Sequence, residues 1–333
     1  MTIRQFSAVV ASLFVLACAR GDVSNGDSAA GARDGSVDLT GAGATFPYPI
    51  YSKWFSVYDS VAGVTINYQS LGSGAGIRQL QEQTVDLGAS DAPMTDAEIA
   101  PANGGPVLHF PTVLGAVVVT YNLAEVTRPL RLTGAVIGDL FLGKISKWND
   151  QRIAALNPGV KLPSADILPV HRSDGSGTTF IFTDYLSAVS AAWKAGPGKG
   201  KEVQWPVGLG GKGNEGVAGA VKQTPGAVGY VELAYANQNN LPAAAVSNST
   251  GAFVAPTIES TTASADGALS MLGPTSDYRV SIVNAPGASS YPIASFTWLL
   301  VYQNQADAGK GQRLVDFLKW AYGDGQNYAP PLD

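Results

Sequence analysis

The chain has 333 residues but only one cysteine, Cys18, and two histidines, His109 and His171. A single cysteine excludes an internal disulfide and a cysteine-based metal site, and two histidines without a cysteine pair argue against zinc. Both histidines lie in apolar strand contexts and read as structural. Charge is sparse as well. Asp, Glu, Lys and Arg make up 14% of the residues, the formal net charge is −5, and no basic run occurs. A weakly acidic surface argues against nucleic acid or anionic lipid as a partner. An anion bound by such a chain must be held by local dipoles and one or two cations, because the overall field does not attract it.

A long apolar span is also missing from the N-terminus. Residues 6–17 are apolar behind a lone Arg4, which is too short for a permanent membrane helix and reads as a signal peptide over residues 1–17. Val15-Leu16-Ala17-Cys18 resembles a bacterial lipobox, so Cys18 is the expected site of lipidation and the membrane is reached only through that anchor. Residues 18–36 are rich in Gly, Ala, Ser and Asp without periodicity, as a flexible tether would be.

What the chain does have is 45% hydrophobic residues, enough for a substantial core, and 39 glycines that punctuate strong apolar runs as turns. Three of those turns share one design. The first is His171-Arg-Ser-Asp-Gly-Ser-Gly-Thr-Thr-Phe180, between the apolar run 167–170 and a helical apolar pattern over 180–193. It gathers the N–H groups of Ser176, Gly177 and Thr178 at a helix start, with Arg172 beside them. The second is Gly41-Ala-Gly-Ala-Thr-Phe46, ahead of Pro47 and a helix carrying Tyr48, Tyr51, Trp54, Phe55 and Tyr58. The third is Gly72-Ser73-Gly74, ahead of a helix over 77–83 with Ser73 as its N-cap. Asp91 follows the strand over 85–90, at the sheet edge where α/β folds gather ligands. Taken alone, such a turn reads more readily as an ordinary capped helix; the recurrence of three shifts the reading towards an anion site.

The apolar run 107–121 is too long for one ordinary strand, and Pro111 within it predicts a bend. Tyr291-Pro-Ile293 before the strand 294–302 is the matching return. Two crossings imply a discontinuous first domain over 37–110 and 292–333, and a second over 111–291. Two motif matches are set aside. Gly208-Leu-Gly210-Gly-Lys-Gly213 fits a dinucleotide fingerprint, but Pro206 breaks the strand that should precede it, so it reads as the turn opening a helix. Residues 138–145 approach a phosphate-binding loop but lack its Ser/Thr, and read as a helix end. Ser176 does not sit in a hydrolase nucleophile elbow.

Together, the stretches 41–47, 85–93 and 172–178, with 205–214 and 225–231, closely resemble the phosphate-binding proteins of bacterial ABC phosphate importers. That resemblance implies a two-lobed α/β periplasmic-binding-protein fold of type II, each lobe a mixed, mostly parallel sheet flanked by helices, joined by a two-strand hinge. It implies a monomer in the periplasm that binds inorganic phosphate for membrane permease subunits and needs no cofactor or metal. Its phosphate ligands here would be Thr45, Phe46, Ser73, Asp91, Arg172, Ser176, Gly177 and Thr178, with Asp174 holding Arg172. Members of that family continue through another helix beyond the point corresponding to Asp333. Asp91 also has a reading of its own. A carboxylate among donors repels a fully ionised oxyanion but accepts a hydrogen bond from one that keeps a proton, as phosphate does and sulfate does not. The alternatives are a secreted phosphatase using Ser176 or Thr178, for which no base or metal is visible, and a binder of another oxyanion or an organic phosphate.

Overall fold

The structure is a computed structural model that describes residues 38–269 and 277–332. The signal peptide, the tether and Cys18 lie outside the described residues. The chain opens with β1 (Leu39–Gly43), α1 (Tyr48–Ala62), β2 (Ile66–Ser70), α2 (Ser73–Gln81), β3 (Leu87–Ser90) and the short α3 (Asp96–Ile99). β1 pairs in parallel with β2 on one side and β3 on the other. The carboxyl ends of all three strands, and the starts of α1 and α2, therefore share one sheet edge.

β4 (Val107–Tyr121) follows, then β5 (Arg131–Leu132), α4 (Gly134–Phe141), α5 (Gln151–Leu156), β6 (Leu168–Arg172), α6 (Gly177–Val189) and α7 (Ala191–Ala195). The chain continues through β7 (Leu209–Gly211), α8 (Gly213–Gln223), β8 (Ala227–Glu232), α9 (Leu233–Gln238), β9 (Ala245–Ser247), β10 (Phe253–Val254) and α10 (Ile258–Gly267). It returns through β11 (Ala294–Tyr302) and closes on α11 (Ala308–Tyr322) and short 3-10 turns.

Two separate sheets were expected; the strands form one eight-stranded sheet in the order β2-β1-β3-β11-β4-β8-β6-β7, with a small β10-β9-β5 sheet beside it. The reason lies in β4. Over residues 107–116 it pairs antiparallel with β11, all but Thr112 having a partner, and from Val117 onward it pairs antiparallel with β8. Pro111 does not break the strand. The register slips there, Trp298 facing Pro111 and Thr297 facing Val113, so Thr112 is an extra residue in a bulge.

The cores, unlike the sheet, are distinct. Around β1, β2 and α1, the rings of Tyr51, Trp54, Phe55 and Tyr58 pack with Phe317 of α11. Around β6 and β8, Phe182 stacks on Tyr230 at 4.2 Å, with Phe141 and Trp205 against the pair. Phe46 crosses over: its ring joins the second core, close to Gly115 of β4.

The α2 helix lies so close to the sheet that a Cβ on Gly76 would stand 2.6 Å from Gly43 Cα and 2.7 Å from Ala42 O. Backbone atoms cannot step aside, so Gly76→Ala should cost about 1–3 kcal/mol. Gly219 on α8 faces open space, and Gly219→Ala should stabilise by about 0.5–1 kcal/mol. Urea unfolding of the two variants should shift the midpoint in opposite directions; equal shifts would contradict the helix placement.

Candidate anion site

Thr45 sits in the turn between β1 and α1 and is buried, as are Ser73 and Asp91. The turn is held from the other half of the sheet by Tyr235, whose hydroxyl donates to Thr45 O at 2.5 Å. Ser73 is not the N-cap of α2 as its spacing predicts; that place falls to Gly72, and Ser73 is the first helical residue. Its hydroxyl oxygen serves other elements, accepting from Asp91 N at 3.2 Å and from Gly177 N at 3.0 Å. Asp91 lies just past β3, where Oδ1 accepts from the Thr297 hydroxyl of β11 at 2.6 Å and Oδ2 faces Ser73 Oγ at 3.4 Å.

From the other side, β6 ends in Arg172, 4% exposed. Asp174 grips its guanidinium with both oxygens, at 2.8 Å from Nε and 2.5 Å from Nη2, while Nη1 donates to Thr178 Oγ1 at 3.3 Å. Ser176 caps α6 by accepting from Thr179 N at 3.0 Å. Gly177 has no room for a side chain, since a Cβ there would meet Ser73 Oγ at 2.5 Å and Asp91 Oδ2 at 2.6 Å.

The phosphate-ligand candidates read from the sequence, and Asp174 with them, thus meet at one place, with the Phe46 backbone in the same turn as Thr45. The amides of Ser176 and Gly177, expected to be free, are paired. Ser176 N donates to Lys201 O at 3.0 Å, and Gly177 N to Ser73 Oγ across the junction. Lys201 also spans the junction through its side chain, with Nζ 2.5 Å from Glu98 Oε1 of α3.

Two participants were not foreseen. Thr297 is one hydroxyl in an apolar strand, with nothing around it to mark a role. Asn214 directly follows the glycine turn read as a helix opening, which it is: α8 starts at Gly213. The Asn214 amide nitrogen donates to Thr45 Oγ1 at 2.8 Å and Thr178 Oγ1 at 3.1 Å. The near phosphate-binding loop is the end of α4, with Gly143 left-handed at φ 72. His109 accepts from Met94 N at 3.1 Å, and His171 stacks on Trp205. Among the described residues no group of three or more His, Cys, Asp or Glu is placed to hold a metal, and no helix is long and apolar enough to cross a membrane.

Residues 26–324 match the PBP superfamily domain. The chain is 47% identical over 298 residues to the phosphate-binding protein PstS of Xylella fastidiosa strain 9a5c, covering 89% of this chain and 80% of that one. It is 41% identical over 310 residues to PstS of Methanocaldococcus jannaschii, covering 87% and 80%. The chain belongs to the PstS family of phosphate-binding proteins. A solved phosphate-binding protein from Stenotrophomonas maltophilia shares the fold, with a TM-score of 0.65 at 21% identity over 86% of this chain and 84% of that one. The architecture is the α/β fold of the type II periplasmic-binding-protein superfamily, to which the PstS family belongs.

Within this cluster the two carboxylates are pushed apart. Burial would raise Asp174, but hydrogen bonds and charge from Arg172 outweigh it and hold the carboxyl below its ordinary value. For Asp91 burial wins. It pushes the group up to about 7 against the opposing pull of the Thr297 hydroxyl, the Arg172 charge and Ser73. An acid raised in the folded state keeps its full stabilising contribution below its ordinary value of 3.8 and loses it as pH climbs through 7. Asp91→Asn, which cannot ionise, should therefore raise the melting temperature of the ligand-free protein at pH 8 and leave it nearly unchanged at pH 4. Each kcal/mol recovered is worth roughly 2–4 °C. A melting difference that stays constant from pH 4 to 8 would show that Asp91 ionises freely.

Proposed function

We propose that this periplasmic receptor takes up inorganic phosphate at the junction described above, for delivery to the membrane subunits of an ABC importer. Phosphate binding for ABC transport is the work of its family, and no chemical conversion of the ligand belongs to it. The observation that carries the site assignment is a single buried carboxylate, Asp91, set among N–H and O–H donors. Thr45, Phe46 N–H, Ser73, Arg172, Ser176, Gly177 N–H and Thr178 supply the donors. Ser73 Oγ and Gly177 N, paired with each other in the closed cluster, would each turn to the anion. Every donor matters, because an unmade hydrogen bond to a charged group costs about 1.5–3 kcal/mol.

One proton then decides the selectivity. Phosphate brings it on the ligand oxygen and shares it with the Asp91 carboxylate. Sulfate brings none and is accepted only when Asp91 itself is protonated. A phosphatase is disfavoured, because the Ser176 oxygen is engaged in capping α6 and both histidines are committed elsewhere.

The mobile parts would be two lobes, 37–110 with 292–333 and 111–291, turning about β4 and the return through residues 291–293. Support comes from the two distinct cores and from the single strand that joins them. The molecule would work as a monomer, tethered at a lipidated Cys18; mass spectrometry of the envelope-extracted protein tests that anchor.

Calorimetry with phosphate and sulfate across pH 6 to 9 tests the proton argument. Apparent sulfate affinity should fall by about tenfold per pH unit above 7, while phosphate affinity should not follow it. In Asp91→Asn that pH dependence should vanish and the preference for phosphate should narrow. Unchanged phosphate-to-sulfate selectivity in the variant would remove Asp91 from the mechanism.

A further inference from the structure

We propose that Asn214 fixes the polarity of two hydroxyls in the pocket, so that Thr45 and Thr178 present O–H groups and not lone pairs to the anion. The inference rests on the phosphate reading above. Asn214 is fully buried on the first turn of α8. Its Oδ1 accepts from the backbone N–H of Glu232 at 3.0 Å. A backbone amide only donates, so the Asn214 oxygen must face β8 and its NH2 must face the pocket. The two amide hydrogens go to Thr45 Oγ1 and Thr178 Oγ1.

A hydroxyl has one proton and two acceptor positions. On Thr45 the second position takes Asn214's own backbone N–H at 3.2 Å. On Thr178 it takes Arg172 Nη1 at 3.3 Å. With both acceptor positions filled, each threonine has only its proton left to offer. An unconstrained hydroxyl rotates freely and must be ordered when the ligand arrives; these two are ordered beforehand, which removes that cost from binding. Because Thr45 follows β1 and Thr178 stands on α6, one amide sets donors on both sides of the junction. Asn214 is thus a positioning residue that need not touch the anion.

The test is calorimetric titration of phosphate into wild type, Asn214→Ala and Asn214→Asp, with each Asn214 variant repeated in a Thr45→Val and a Thr178→Val background. Asn214→Ala should weaken binding by about tenfold or more, and by at least about threefold less in either valine background. Asn214→Asp keeps the side-chain shape but turns an acceptor towards the hydroxyls. Its cost should also shrink in either valine background, where one of the two hydroxyls it misorients is gone, so it serves where the alanine variant melts too early. Equal losses with and without the hydroxyls would overturn the proposal, because a packing role does not depend on them. A wild-type chain that binds no phosphate would defeat the phosphate reading instead.

Discussion

An oxyanion stripped of water is stable only where donors surround it and do not have to be recruited at the moment of binding. The organisation of this chain follows from that constraint. Strands β1 and β3 run towards the middle of β4 from one half of the sheet and β6 runs towards it from the other, so the turns after them meet at the junction. Gly177 lets two backbones approach until an amide reaches the Ser73 hydroxyl. Asp174 holds Arg172 with both oxygens, which keeps the guanidinium aligned. Asp91 is a buried carboxylate among these donors, its pKa raised to about 7 by burial, and on the proposed reading it is the group that senses the ligand's proton.

Much of the site was legible because its parts are local. A strand end, a glycine turn and a hydroxyl at a helix start are encoded within ten residues, so the turns that hold Thr45, Ser73, Ser176 and Thr178 could be picked out from pattern, while their reading as ligands came with the family resemblance. Asn214 and Thr297 could not. Each matters through a partner more than a hundred positions away, Thr45 for one and Asp91 for the other. Ser73 shows the same limit from the other side. Its position fits a helix cap, and only the arrival of Gly177 shows what its oxygen is used for.

The fold was legible to a similar degree. β11 falls where its apolar run puts it, whereas α10 went unread. That helix buries Ser260, Thr261 and Ser264 and has no apolar stripe; Ser264 donates to Ser260 O and Tyr291 O, so hydroxyls do the packing there. The helical pattern over 180–193 divides at Ser190, whose extended backbone ends α6 and whose side chain caps α7. Pro111 marked a real irregularity but not its kind. A missing N–H on a strand flanked by strong partners is absorbed by a bulge, and the strand runs on.

The unbroken β4 has a mechanical consequence. Halves joined by a slack linker could drift apart to any angle and return by diffusion alone. Here the junction is a hydrogen-bonded ribbon shared by both, so on the proposed two-lobe reading their separation would twist that ribbon about its long axis. Such a twist would act as a torsion spring of bounded amplitude, with release and recapture of cargo as opposite strokes of the same elastic element.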